Sequence, residues 1–292
     1  MNKQNPVLLL LGTGAMLGLN FPIGKLVLSH GVNPALWAAI ISLGAGLAML
    51  AIAQITNKQA QSVGPLLNFS FVSGILSYVM PNLLTYLVIP KIGSGLTAVM
   101  FALSPVATAI ISLVLQVRPP NRWAIFGIGC GLMGALMIVF GRNQNIAINS
   151  SEWMFAAFFI PIFLGLGNVY RTAAWPKNAS PHMLASYTNL AAVPFLIAIA
   201  MFMDFDLKPV LQIPALVALQ LMVSTTMFLM FFKLQQIGGP TYLSQIGYVA
   251  AAVGLIVGVA YLGESYPLLV WLGAGVVAIG VAVSSWVGAQ KA

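Results

Sequence analysis

Pro6-Val7-Leu8-Leu9-Leu10-Leu11-Gly12-Thr13-Gly14-Ala15-Met16-Leu17-Gly18-Leu19-Asn20-Phe21-Pro22-Ile23-Gly24-Lys25-Leu26-Val27-Leu28-Ser29 is the stretch on which the reading of this chain turns. At 1.5 Å rise per residue such a helix covers about 36 Å, enough for a hydrocarbon core of about 30 Å. Its second half, however, carries an amide, a proline, two glycines and an ammonium group. Pro22 removes a backbone donor and clashes one turn back, which predicts a kink. A polar, broken helix at membrane depth survives only against protein or beside a wet cavity. The segment therefore predicts a membrane-spanning helix that faces an internal site.

The rest of the chain fits that solvent. It is 60% hydrophobic and 5% charged, with mean hydropathy +0.98, whereas soluble domains carry about 25% charged residues. The composition predicts an all-α integral membrane protein. Net charge is +8, but the basic residues are too scattered for a nucleic-acid surface. Cys130 is the only cysteine, so no intrachain disulfide forms, and its apolar setting marks a packing residue. One lysine, with no small-residue cleavage site nearby, precedes the first apolar run, which predicts a retained helix rather than a removed leader.

Ten apolar segments can be marked, at about 6–29, 33–54, 66–89, 94–116, 121–141, 152–175, 180–203, 210–235, 240–262 and 267–287. The links are short, so neighbouring spans run antiparallel. Continuous apolar runs of this length exclude a β-barrel, whose strands alternate over about ten residues. With the N-terminus in the cytoplasm, Lys3, Lys58, Arg118, Arg122, Arg171, Lys177, Lys233 and Lys291 fall inside. Lys25, Lys91, Arg142 and Lys208 fall outside, with all four acids, Glu152, Asp204, Asp206 and Glu264. Basic residues in short loops hold the cytoplasmic side, so both termini are expected there, in the cytoplasmic (inner) membrane. The tryptophans, Trp37, Trp123, Trp153, Trp175, Trp271 and Trp286, lie near segment ends as an interfacial belt would.

The chain also matches itself at an offset of about 147. Asn33-Pro34 meets Ser180-Pro181, Asn20 meets Asn168, and Trp123 and Gly127 meet Trp271 and Gly275. Each repeat, residues 1–145 and 146–292, holds five spans, an odd number, so the second is expected upside down relative to the first. Inverted repeats with a site at their interface are a transporter architecture.

Here a family resemblance enters. Gly18-Leu19-Asn20-Phe21 with Lys25, Asn33-Pro34, Lys91-Ile92-Gly93-Ser94-Gly95, Ser104-Pro105 and Leu262-Gly263-Glu264 stand in an order that resembles the EamA-type, ten-helix branch of the drug/metabolite transporter superfamily. Two positions depart from the family's pattern. Arg118 stands where an acidic residue often closes helix 4, and Ser42 where helix 2 often holds an arginine. The resemblance implies eight helices around a polar centre with two outside.

The distribution of polar residues gives the same arrangement. Segments 5 and 10 are nearly free of them and studded with glycine (Gly127, Gly129, Gly131 and Gly134; Gly273, Gly275 and Gly280), as helices that pack closely in lipid are. They are expected to be structural, within one protomer or between two, and a monomer or a homodimer stays open. The cavity candidates on the other spans are Asn20, Lys25, Trp37, Ser77, Tyr78, Asn82, Ser104, Asn168, Tyr187, Asn189, Thr225, Gln245 and Tyr248. Each has a plainer reading. A hydroxyl in a membrane helix usually bonds its own backbone, amides glue helices together, and a lone tyrosine packs. Asn20 ranks first because it sits near mid-depth beside Pro22. For Lys25, snorkelling to the interface leads, with a gate or anion-binding role second, and Arg171 at the inner end of helix 6 reads the same way.

No Asp or Glu lies at mid-depth, which argues against carboxylate-driven drug/proton antiport and against cationic cargo. Paired aspartates, a Ser/His pair and a His-Glu-x-x-His run are all missing, so neither an enzyme nor a metal or cofactor site is expected. The expectation is a secondary transporter for a small polar, amino-acid-like metabolite, with the lipid bilayer as its other partner. Export or exchange leads on the resemblance, and a membrane channel or facilitator for small neutral solutes is the alternative.

Overall fold

The structure, a computed structural model, describes residues 5–56, 63–141, 151–263 and 265–289. Lys3, Lys58, Arg142, Glu264 and Lys291 lie outside the described residues, as does the junction between the two expected repeats. The described residues form helices and turns, with no strand among them. Among the described residues, seven helical spans are long and apolar enough to cross a membrane: Pro6–Ser29, Pro34–Ile55, Leu66–Ile92, Thr97–Val114, Glu152–Ala173, Pro181–Met201 and Pro214–Ser244. Two shorter apolar helices, Ile246–Leu262 and Leu268–Gly280, follow. Large side chains such as Phe140, Phe202 and Tyr261 stand on the outside with three-quarters or more of their area exposed. An exterior of that kind is solvated by lipid.

Prolines and polar caps punctuate the spans. Helix α1 (Pro6–Ser29) starts under the Asn5 side chain, which accepts from the Val7 N–H at 3.0 Å, and runs uninterrupted through Pro22. Asn33 caps α2 (Pro34–Thr56), its Oδ1 accepting from the Ala35 and Leu36 N–H groups at 2.9 and 3.1 Å. Its Nδ2 donates to the Met203 carbonyl. The third span is α3 (Val63–Gly74), a π-helical turn (Ile75–Val79) and α4 (Met80–Ile92). Pro81 explains the turn. It offers no N–H to the carbonyl four residues back and its ring crowds it, so the coil widens and the Met80 N–H reaches Ile75 O instead. The fourth span breaks at Leu103 between α5 (Ser94–Ala102) and α6 (Ser104–Val114), with Pro105 in the first turn of the latter.

Helix α7 (Arg122–Gly141) is followed by α8 (Ser151–Ala157) and α9 (Phe159–Ala173). Then come α10 (Pro181–Met201), the short α11 (Lys208–Leu211), α12 (Pro214–Ser244), α13 (Ile246–Leu262) and α14 (Leu268–Ala289). Helix α12 bends at Gly239, whose φ of 71° and ψ of −172° are not helical. Left-handed residues recur about 147 positions apart: Gly31 and Asn178, Gly93 and Gly239, Gln116 and Gly263. Such φ values suit glycine, so at Asn178 and Gln116 the surrounding turn imposes the conformation.

Two helices stand apart. Helix α14 lies along α7 and touches it more extensively than any other element. A methyl group on Gly134 would come within 2.5 Å of the Gly273 carbonyl, and one on Gly280 within 2.6 Å of the Gly127 carbonyl. Those glycines let the two backbones meet within a single protomer. Helix α1 lies between α12 and α13, α9 packs on α6, and α10 packs on α2.

Candidate functional site

Two buried polar clusters face the interior, each built around one of the paired asparagines. Asn20 on α1 donates to the Met16 carbonyl at 2.8 Å, one turn back. Its Oδ1 accepts from Gln220 Nε2 and, at 3.1 Å, from Ser224 Oγ, both on α12. Gln220 also donates to Ser224 Oγ at 2.7 Å, and its own Oε1 has no partner. This cluster is neutral.

The second cluster surrounds an ion. Arg171 on α9 is 1% exposed. Its guanidinium donates to Ser77 Oγ in the π turn, to Asn168 Oδ1 at 2.6 Å and to Gln235 Oε1 on α12 at 3.3 Å. It also lies 4.9 Å from the centre of the Phe231 ring. Asn168 in turn donates to Thr108 Oγ1 on α6 at 3.2 Å. Gln235 Nε2 donates to Thr172 Oγ1 at 2.6 Å and to the Asn168 carbonyl at 3.2 Å. Gly167 makes the approach possible, since a methyl group there would collide with Ser77.

Snorkelling, the first expectation for Arg171, is therefore corrected. A helical side chain leans toward the N-terminus of its helix. At the C-terminal end of α9 that direction leads into the protein, one turn back to Asn168, and not out to the interface.

A central cavity of about 60 Å³ joins the Arg171 cluster to Leu17, Tyr78, Asn82, Phe101, Ser104, Phe228 and Gly247. Beside it, a space of about 30 Å³ is lined by Asn20, Asn82, Thr85, Tyr86 and Ser224. A vestibule of about 400 Å³ is walled by Arg118, Thr172, Trp175, Lys177, Gln235 and Gln236. Arg171 lines the central cavity and its partner Gln235 lines the vestibule, so this clamp borders both spaces. None of the three spaces draws a residue from α7 or α14.

Of the thirteen candidates, Asn20, Ser77, Tyr78, Asn82, Ser104 and Asn168 line the two inner spaces. Lys25, half-buried on α1, lines none of the three. Trp37 is buried in the apolar core of α2. Tyr187 and Thr225 are half-buried outside these spaces, and Tyr187 packs against the same core. Asn189 bonds back to the Ala185 carbonyl at 2.9 Å. Gln245 sits at the joint between α12 and α13. Tyr248 turns away to α7, where Gly131 leaves room for its ring and its hydroxyl donates to the Ile128 carbonyl at 3.3 Å. Sequence reasoning missed Gln235 as a member of the site and gave Arg171 a gate or anion-binding role only second to snorkelling. The i, i+3 spacing of Asn168 and Arg171 was the available signal.

The sequence model of the EamA-like transporter family matches residues 4–140 and, a second time, 151–286. Among curated proteins, the chain is 24% identical over 262 residues to YedA of Escherichia coli K12, described as an uncharacterized inner membrane transporter. That alignment covers 85% of this chain and 80% of YedA. A WAT1-related protein of Arabidopsis thaliana is 28% identical over 146 residues, 47% of this chain and 41% of that protein. One crystal structure superposes with a TM-score of 0.72 at 17% identity, over 97% of this chain and all of the other, a likeness of fold alone.

Proposed function

The chain belongs to the EamA-like transporter family, and on that premise we propose that it is a secondary transporter. Its two five-helix halves, residues 1–145 and 146–292, are inverted copies that rock about the space between Asn20 and Asn168. Two successive family matches and the left-handed residues recurring about 147 positions apart support the repeat. The cargo is a small polar, amino-acid-like metabolite, moved by export or exchange across the inner membrane with both termini in the cytoplasm. The observation that carries this reading is the set of three spaces, two small interior ones and a large vestibule, with the Arg171–Gln235 clamp bordering both the central cavity and the vestibule. In alternating access a clamp so placed is a gate. Counterflow in proteoliposomes with a panel of radiolabelled amino acids and small organic acids tests it. A carrier shows uptake accelerated by unlabelled substrate inside, whereas uptake that neither saturates nor shows this acceleration identifies a channel.

A further inference from the structure

We propose that Arg171 is the recognition group for a carboxylate, and that the ligand is a small monocarboxylate with an apolar body. The proposal rests on the transport reading and narrows its cargo from amino-acid-like metabolites in general to carboxylates without an ammonium group.

A guanidinium keeps its charge in proteins, and removing it from water costs several kcal/mol unless opposite charge compensates it. Around Arg171 every acceptor is neutral: a hydroxyl and two amide oxygens. No carboxylate among the described residues pairs with it. Glu152, Asp204 and Asp206 are exposed, in the first turn of α8 and in the loop after α10. Three of its five N–H groups are used, which leaves two for the forked acceptor geometry of a carboxylate.

The Tyr78 hydroxyl is buried and lines the same cavity, with the Asn189 side chain beside it. The remaining wall is largely apolar, with Leu17, Phe101, Leu164, Met227 and Phe228. It suits a hydrocarbon or aromatic body and holds no acid to receive an ammonium group. The approach is basic. Arg118 and Lys177 line the vestibule, and the Arg118 guanidinium lies against Gly239, where a side chain would crowd it. A positively lined cleft raises the local concentration of anions. The family departure at Arg118 thereby gains a role. A cavity of about 60 Å³ has room for about two water molecules, so binding requires α9 and α12 to part as the anion replaces Gln235 and Ser77 on Arg171.

The test uses the full chain in nanodiscs, with isothermal calorimetry and thermal shift against 4-methyl-2-oxopentanoate, its primary amide and 3-methylbutylamine. The carboxylate should bind on the order of 10- to 100-fold more tightly than the amide, the worth of charge-assisted hydrogen bonds. Arg171→Gln should erase that difference. Gln235→Ala, which leaves the charge and removes one competing acceptor, should tighten the carboxylate several-fold, a change in the direction opposite to that expected of a purely structural clamp. Should Arg171→Gln not fold, the amide comparison and Gln235→Ala still decide. Equal binding of amide and carboxylate, tighter binding of the amine, or weaker carboxylate binding in Gln235→Ala overturns the proposal. Counterflow of the same acid separates the two readings. Binding without counterflow upholds the site and removes the transporter. Saturable counterflow of a neutral solute, unchanged by Arg171→Gln, upholds the transporter and removes the site.

Discussion

The Asn20 and Asn168 clusters lie one in each of the two stretches that match the family model, about 147 positions apart in sequence, yet only one is charged. Each asparagine sits just beyond a glycine pair, Gly14 and Gly18 in α1, Gly165 and Gly167 in α9, and each cluster includes a serine, Ser224 or Ser77, about 147 positions apart. Three residues beyond Asn20 stands the buried Ile23, and three beyond Asn168 stands Arg171. A single position in one repeat thus turns a neutral amide cluster into a cation-holding clamp. The comparison shows how two similar amide clusters come to differ, one charged and one neutral, without a change of fold.

The largest effect that would break this comparison is removal of the charge. Arg171→Met keeps length and apolar bulk while discarding the ion. Transport should fall on the order of 100-fold, since charge-assisted contacts to substrate are lost. Thermal stability should change far less than transport, because relief of the uncompensated buried charge offsets the acceptors left unpaired on Ser77, Asn168 and Gln235. Uptake assays paired with melting curves check both halves. A protein that melts early and transports normally per folded molecule would make Arg171 structural.

Next in size is a pair of matched glycine substitutions. In Gly18→Ala the new methyl would lie 2.8 Å from the Ala250 carbonyl and 2.7 Å from Val253 Cβ. Backbone cannot yield there, so α1 must move off α13, at a cost of about 1–3 kcal/mol. In Gly167→Ala the obstruction is the Ser77 side chain, which can rotate. Stability should fall by less, while the Ser77 contact to Arg171 is lost and substrate affinity drops. Chemical denaturation of the two variants side by side should therefore rank Gly18→Ala as the less stable and Gly167→Ala as the poorer binder.

Asn20→Ala sharpens the same contrast. It leaves Gln220 and Ser224 without their shared acceptor in a buried site, a loss of about 1–3 kcal/mol. Transport should fall by about tenfold with no change in preference between a carboxylate and its amide. Asn168→Ala, which withdraws an acceptor from Arg171 itself, should alter that preference.

Much of this was legible in the chain. Composition and the continuous apolar runs dictated membrane helices, and Asn33-Pro34 and Ser180-Pro181 marked helix starts because a capping oxygen before proline leaves little else possible. Pro81 and Pro105 signalled irregular helices, though not that one would widen into a π turn and the other break the span at Leu103. Pro22 signalled a kink, not a break, and α1 runs on through it as one helix. Hydropathy could not place Arg171, because depth along a helix says nothing of the direction in which a side chain leans. Nor could it separate Tyr78, which faces the cavity, from Tyr248, which fills a slot beside Gly131. That distinction depends on which neighbour lacks a side chain, a property of packed pairs and not of either helix alone.

The smallest predicted effect concerns the approach to the clamp and not the clamp itself. Arg118 and Lys177 line the vestibule at distances set by its width, with no part in the hydrogen bonds of Arg171. Their influence on an anion is through space, in a wide opening of about 400 Å³ where water screens the field. Arg118→Gln should then lower the rate of carboxylate uptake from the vestibule side by about two- to fivefold, and the deficit should shrink as ionic strength rises over a Debye length of about 8 Å. Affinity at saturation should stay near its original value, because the bound anion meets Arg171 and not Arg118. A salt-independent loss would mean instead that Arg118 acts by holding the bend at Gly239 against α6, and the basic vestibule would lose its electrostatic role.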